Sequence, residues 1–135
     1  MHTPKKEVVY SEKAPKPIGP YSVGIQFGHL VFTAGQTGTD PATGELVPGG
    51  IEAETRQTLI NIKNILEAAG SDLSHVLKTT VFLRDISEFS RMNAVYGEFF
   101  KENPPARTTV QVAALPKAAA VEIDTIALRV LPETG

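Results

Sequence analysis

The sequence predicts an α+β fold in which two helices lie on one face of a mixed sheet. Three observations predict it. Leu59, Ile62, Leu66 and Ala69, and later Phe89, Met92, Tyr96 and Phe99, recur at spacings of three and four, the apolar stripe of a helix. Between these stripes, His75 to Arg84 alternates as a strand does, with Leu77, Thr79, Val81 and Leu83 on one side and Lys78, Thr80, Phe82 and Arg84 on the other. The resulting order is strands, helix, strand, helix, strands, which packs as a helical layer on a sheet.

The elements follow in chain order. Glu7 to Tyr10 reads as a short strand ahead of a Pro-rich stretch from Ala14 to Pro20. Tyr21 to Ile25 and His29 to Ala34 read as two strands around a turn at Gln26-Phe27-Gly28. Gly, Pro, Thr and Asp crowd the segment from Gly35 to Gly50, a loop with turn points at Asp40-Pro41 and Thr43-Gly44. Gly70 stands where the first helix needs a C-terminal cap. Asp85-Ile86-Ser87-Glu88 resembles a capping box for the second helix, and Asn103-Pro104-Pro105 ends it. Ala106 to Val112 and Ala120 to Val130 supply the last two strands, connected through Leu115-Pro116-Lys117. A sheet covered by helices on one side only leaves apolar side chains bare on the other, so self-association through that face is expected.

Composition narrows the function. A length of 135 residues fits one domain, residues 1–130, followed by a tail at 131–135. The tail, Leu131-Pro132-Glu133-Thr134-Gly135, matches a sortase recognition pattern without the apolar segment a cell-wall signal needs. It is read as chance or as a tag. A net charge of -2 leaves no basic footprint for nucleic acid. The absence of cysteine removes disulfides, thiolate catalysis and the commonest zinc sets, and none of the three histidines pairs at metal-ligand spacing. No metal or cofactor is expected. No apolar run approaches the roughly 20 residues of a membrane span, and the N-terminus lacks the apolar region of a signal peptide, so the expected address is cytoplasmic.

The chemistry concentrates late in the chain. Arg107 opens a strand-like run, where a guanidinium can grip a small carboxylate through two parallel hydrogen bonds. Glu122 stands between Val121 and Ile123, a poor fit to a plain core strand and a good fit to acid–base work. The same residues also read as a surface cation and an ordinary ion pair. Lys78 and Arg84 fit a solvated or interface face, and His29 and His75 fit structural or exposed positions.

Several motifs resemble one family: Ile18-Gly19-Pro20-Tyr21-Ser22, Thr33-Ala34-Gly35-Gln36, Asn61 with Ala68-Ala69-Gly70, and Lys78-Thr79-Thr80-Val81. Asn93-Ala94-Val95-Tyr96, Pro105-Ala106-Arg107 and Ala114-Leu115-Pro116-Lys117 with Val121-Glu122-Ile123 continue the match. They are similar to the RidA family, the YjgF/UK group also labelled endoribonuclease L-PSP, over roughly residues 8 to 130.

The resemblance implies a chorismate-mutase-like fold and a homotrimer whose sheets form a central barrel, with small-ligand clefts between subunits. It also implies cofactor-free hydrolysis of reactive 2-imino and enamine acids, such as 2-aminoacrylate and 2-aminocrotonate, to 2-oxo acids and ammonia. On that pattern Arg107 holds the carboxylate, and Glu122 positions water or relays the proton. Tyr21 closes the cleft from a neighbouring subunit, Gly35 and Thr109 offer backbone N–H groups, and Asn93 sits at the pocket.

Two positions depart from the pattern. Ala34 replaces a serine found in many imine-deaminating members, with Thr33 beside it as the compensating hydroxyl. Thr109 stands where the best-known members have a cysteine. Two other functions stay open: an endoribonuclease that inhibits translation, and a trimer that binds 2-oxo acids or acts as a chaperone without turnover.

Overall fold

The computed structural model describes residues 3–130; the Leu131 to Gly135 tail lies outside them. Its elements are β1 (Glu7–Val9), β2 (Gly24–Phe27), β3 (Leu30–Thr33), α1 (Gly50–Ala68), β4 (Val76–Leu83), α2 (Phe89–Phe99), β5 (Ala106–Gln111) and β6 (Val121–Leu128). The six strands form one sheet in the order β1-β2-β3-β6-β4-β5, with β4 and β5 parallel and every other neighbour antiparallel. This is the predicted α+β arrangement. The helix α2 makes the crossover that a parallel pair requires.

Register sorts the side chains onto two faces. Val31, Thr79, Val81, Leu83, Val121, Ile123 and Ala127 point toward the helices and are buried. They meet Leu59, Ile62, Ile65 and Leu66 of α1 and Met92 of α2, all fully buried. Complete burial of a Leu or Ile contributes on the order of 1.5–3 kcal/mol each, so this layer dominates stability. On the other face Phe27, Phe32, Val110 and Leu128 stay exposed in the single chain.

Four details differ from the sequence expectation. The hairpin turn falls at Gly28-His29, because Phe27 pairs with Leu30 and Gly28 adopts φ +59. Tyr21 therefore lies before β2, in a loop where its N–H donates to the Gly19 carbonyl at 2.8 Å. The helix α1 begins at Gly50, well before its apolar stripe, because its first turns bury Glu54, Thr55 and Thr58 alongside Ile51. In β4 a bulge between Val76 and Lys78 turns Leu77 outward, 45% exposed, while Thr79, Val81 and Leu83 face the core. Finally, the Asp85 carboxylate accepts the Ser87 N–H at 2.9 Å and caps the 3₁₀ turn Ile86–Glu88, not α2 itself.

The C-terminus of α1 closes as its glycine requires. Gly70 has φ +79, and the Gly70 and Ser71 N–H groups donate back to the carbonyls of Glu67 (3.2 Å) and Leu66 (2.8 Å).

Candidate functional site

Two separate clusters carry the predicted site residues. The first forms where the chain leaves β3. Gln36 and Ile123 exchange backbone hydrogen bonds of 2.8 and 3.0 Å, which fastens the segment after β3 beside the start of β6. This brings the Gly35 backbone against the Glu122 side chain. A Cβ at Gly35 would stand 2.6 Å from Glu122 Oε2 and 2.8 Å from its Cδ, so only glycine admits the carboxyl in this position. Tyr21, Gly35, Thr37, Lys117 and Glu122 line a cleft of about 390 Å³.

Electrostatics in this cleft favour a proton carrier. Burial pushes the Glu122 carboxyl above the ordinary glutamate range, and the negative charge of Asp124 on the same face adds to the shift. Asp124 is itself raised by burial, an effect opposed by its hydrogen bonds from Thr80 and by the charge of Lys78. A carboxyl moved upward toward neutrality can both take and return a proton.

The loop opposite Glu122 is held by groups to which the sequence reading gave no site role. The Asn61 amide, fully buried in α1, donates to the Thr37 and Thr39 carbonyls at 3.2 and 2.8 Å. The Glu54 carboxylate accepts the Ala120 N–H at 2.9 Å, just before β6. Lys117, with φ +57, donates from Nζ to the Gly44 carbonyl at 2.6 Å across the cleft mouth. A polar residue on an otherwise apolar helical stripe was the visible signal for Asn61. Nothing in the sequence marks the left-handed Lys117.

The second cluster sits at the sheet edge. Arg107 lies on β5 opposite Thr79 of β4, on the helix-covered face. Its guanidinium carbon stands 4.7 Å from the centre of the Tyr96 ring and 5.4 Å from that of Phe89, both on α2. Among the described residues no carboxylate lies within ion-pair distance of it. Thr109, two residues on, shares this face, and its hydroxyl is buried without a hydrogen-bond partner. Asn93 is exposed on α2, one turn from both Phe89 and Tyr96.

The two clusters do not meet within one chain. Glu122 is the register partner of Phe82 on the open face, whereas Arg107 is the partner of Thr79 on the helix face. The strand β4 separates β5 from β6, so the backbones are about 10 Å apart as well as facing opposite ways. The reading of Arg107 and Glu122 as an ordinary ion pair is thereby corrected. Thr33 also lies apart from Glu122: it is buried on the helix side, shares a 3.0 Å hydrogen bond with the Thr125 hydroxyl and accepts the Thr125 N–H at 3.0 Å. Its hydroxyl is therefore already engaged and does not stand in for a serine at Ala34.

Among the described residues, no group of three or more His, Cys, Asp or Glu side chains could hold a metal ion, and no helix is long and apolar enough to cross a membrane.

Comparison with known proteins places this geometry. The family model described as endoribonuclease L-PSP matches residues 11–129. A RutC family protein of Pyrococcus horikoshii is 54% identical over 124 residues, which are 92% of this chain and 98% of that one. A Bos taurus protein named 2-iminobutanoate/2-iminopropanoate deaminase is 48% identical over 92% of this chain and 90% of its own. The solved structure of E. coli TdcF with bound serine superposes with a TM-score of 0.88 at 41% identity, covering 92% of this chain and 99% of that one. With the motifs, the sheet order and these likenesses in agreement, the chain belongs to the RidA family, the group also described as endoribonuclease L-PSP.

Proposed function

We propose that the chain is a 2-iminobutanoate/2-iminopropanoate deaminase that acts at clefts shared by neighbouring copies of a homotrimer. The observation that carries this reading is the Glu122 carboxyl laid over Gly35 in the Tyr21-lined cleft, with its proton affinity raised by burial. That is an acid–base group beside a space of about 390 Å³, ample for a four-carbon acid. Arg107, which has no carboxylate partner among the described residues, supplies the complementary grip from a second copy. The name of the Bos taurus relative and the serine bound to TdcF, an α-amino acid with the carboxylate such a grip needs, support the reading.

The reaction then runs as follows. Arg107 holds the substrate carboxylate as a bidentate pair, and the Gly35 and Thr109 N–H groups add contacts, with Asn93 at the rim. Glu122 takes a proton from water as the oxygen bonds to the imine carbon. It gives that proton to the nitrogen, forming a carbinolamine; a second relay through Glu122 then carries the hydroxyl proton to the amine as the C–N bond breaks, so that ammonia leaves and a 2-oxo acid remains. Tyr21 covers the cleft. Imines of this class already hydrolyse in water, so positioning and one proton-relaying carboxyl suffice.

Opposite-face placement gives a direct test. Arg107→Ala and Glu122→Gln chains, each inactive alone in an assay coupled to threonine dehydratase, are co-expressed and purified as mixed assemblies. With Arg107 and Glu122 drawn from different copies, random mixing restores about a quarter of wild-type sites. No recovery sinks the shared cleft. A wild type that does not shorten imine lifetime sinks the deaminase.

A further inference from the structure

We propose that Tyr96, with Phe89, is the positioning platform that holds the Arg107 guanidinium in place for an incoming carboxylate. The inference rests on the reading of Arg107 as the carboxylate grip and names the residues that make it one.

Two aromatic rings from one helix face a single guanidinium, at 4.7 and 5.4 Å. The Tyr96 ring cannot drift. Its hydroxyl shares a 2.8 Å hydrogen bond with the hydroxyl of Thr79, which is fully buried and is the register partner of Arg107. On its other side the ring packs on Phe100 with centroids 4.7 Å apart, tilted by 40°. Arg107 and the residue that fixes its platform are thus neighbours across the same pair of strands.

The choice of an aromatic partner has a chemical consequence. An arginine is commonly oriented by a carboxylate, which occupies the in-plane N–H groups and neutralises the charge. A ring attracts the cation through its π face and leaves those N–H groups available for a planar, two-point contact. Fixing the side chain before the ligand arrives also removes rotamer freedom that binding would otherwise cost. A platform of this kind acts on affinity: it serves ground state and transition state alike, so it belongs in KM and not in kcat.

The test compares Tyr96→Phe, Tyr96→Leu and Phe89→Leu in the full chain, with thermal melting recorded for each. Calorimetry with 2-oxobutanoate, the proposed product, should show affinity kept within about threefold in Tyr96→Phe and lost by roughly tenfold in Tyr96→Leu. Phe89→Leu, on the partly buried ring, should lose a few-fold. KM for the imine should rise in parallel with kcat nearly unchanged. The Arg107 Nε–H resonance reports the platform without any ligand. In wild type and Tyr96→Phe it should carry a ring-current shift, and in Tyr96→Leu it should return to the ordinary arginine position. An unshifted resonance in the wild type, or wild-type affinity in both leucine variants, overturns the proposal. A shifted resonance in a protein that binds no 2-oxobutanoate leaves the platform standing and removes the reading of Arg107 as the carboxylate grip instead.

Discussion

The cleft around Glu122 and the edge around Arg107 are built by opposite means. At Glu122 the backbone does the work: a two-bond bridge between Gln36 and Ile123, a glycine without a side chain, and a loop tied down by Asn61. At Arg107 the backbone is an edge strand, and side chains from α2 hold the charge. The first region raises a proton affinity by burial; the second keeps a cation that, among the described residues, no neighbouring carboxylate neutralises. Each is a fragment of acid–base and carboxylate chemistry, and neither is complete. The difference explains why one chain holds all the proposed site residues yet does not assemble them.

The comparison can be broken most severely from the Arg107 side. Arg107→Ala should abolish 2-oxobutanoate binding by calorimetry and lower imine hydrolysis at least about a hundredfold, since it removes a bidentate charged contact. Its melting temperature should change little, because among the described residues the cation is not part of an ion pair.

Glu122→Gln should cost about 10²–10³ in rate, yet stabilise the protein. The folded-state pKa of Glu122 is raised above its ordinary value of 4.5, so ionising it opposes folding. The stabilising contribution of the protonated form is full below 4.5 and lost as pH rises through the higher folded value. The variant should therefore melt higher than wild type at neutral pH, and the gap should close on acidification. Equal melting temperatures at pH 7 would remove the argument from burial.

Gly35→Ala sharpens the contrast. The added Cβ would collide with the outer atoms of Glu122, which can swing away, so stability should fall by less than about 1 kcal/mol. Activity should fall at least tenfold, because the displaced carboxyl no longer faces the cleft. The smallest effect is expected at Thr109→Val. The Thr109 hydroxyl has no partner, so denaturant unfolding should place the variant within about 0.5 kcal/mol of wild type. If the backbone N–H makes the ligand contact there, turnover should stay within about twofold.

Much of this fold is legible in the sequence where periodicity and burial agree. The stripe Phe89, Met92, Tyr96, Phe99 marks α2, and Thr79, Val81, Leu83 mark the inner face of β4. Legibility fails where polar groups are buried for a partner elsewhere. The first turns of α1 carry Glu54, Thr55 and Thr58 inside, and Glu54 is there to accept the Ala120 N–H. It fails again at Leu77, where a bulge breaks the alternation without any marker residue. The motifs bring Arg107 and Glu122 into one proposal through family resemblance. Their opposite faces follow only from the strand β4 that separates them, a register no local pattern carries.

On the proposed reading, that separation ties chemistry to mass action. A chain whose grip and proton relay belong to different copies owes its turnover to assembly as well as to folding. On dilution below the association range, such a protein would keep its circular dichroism spectrum and lose its specific activity. A folded but defective copy of such a protein would also spoil clefts in the sound copies it joins, so damage to one subunit would spread to its neighbours.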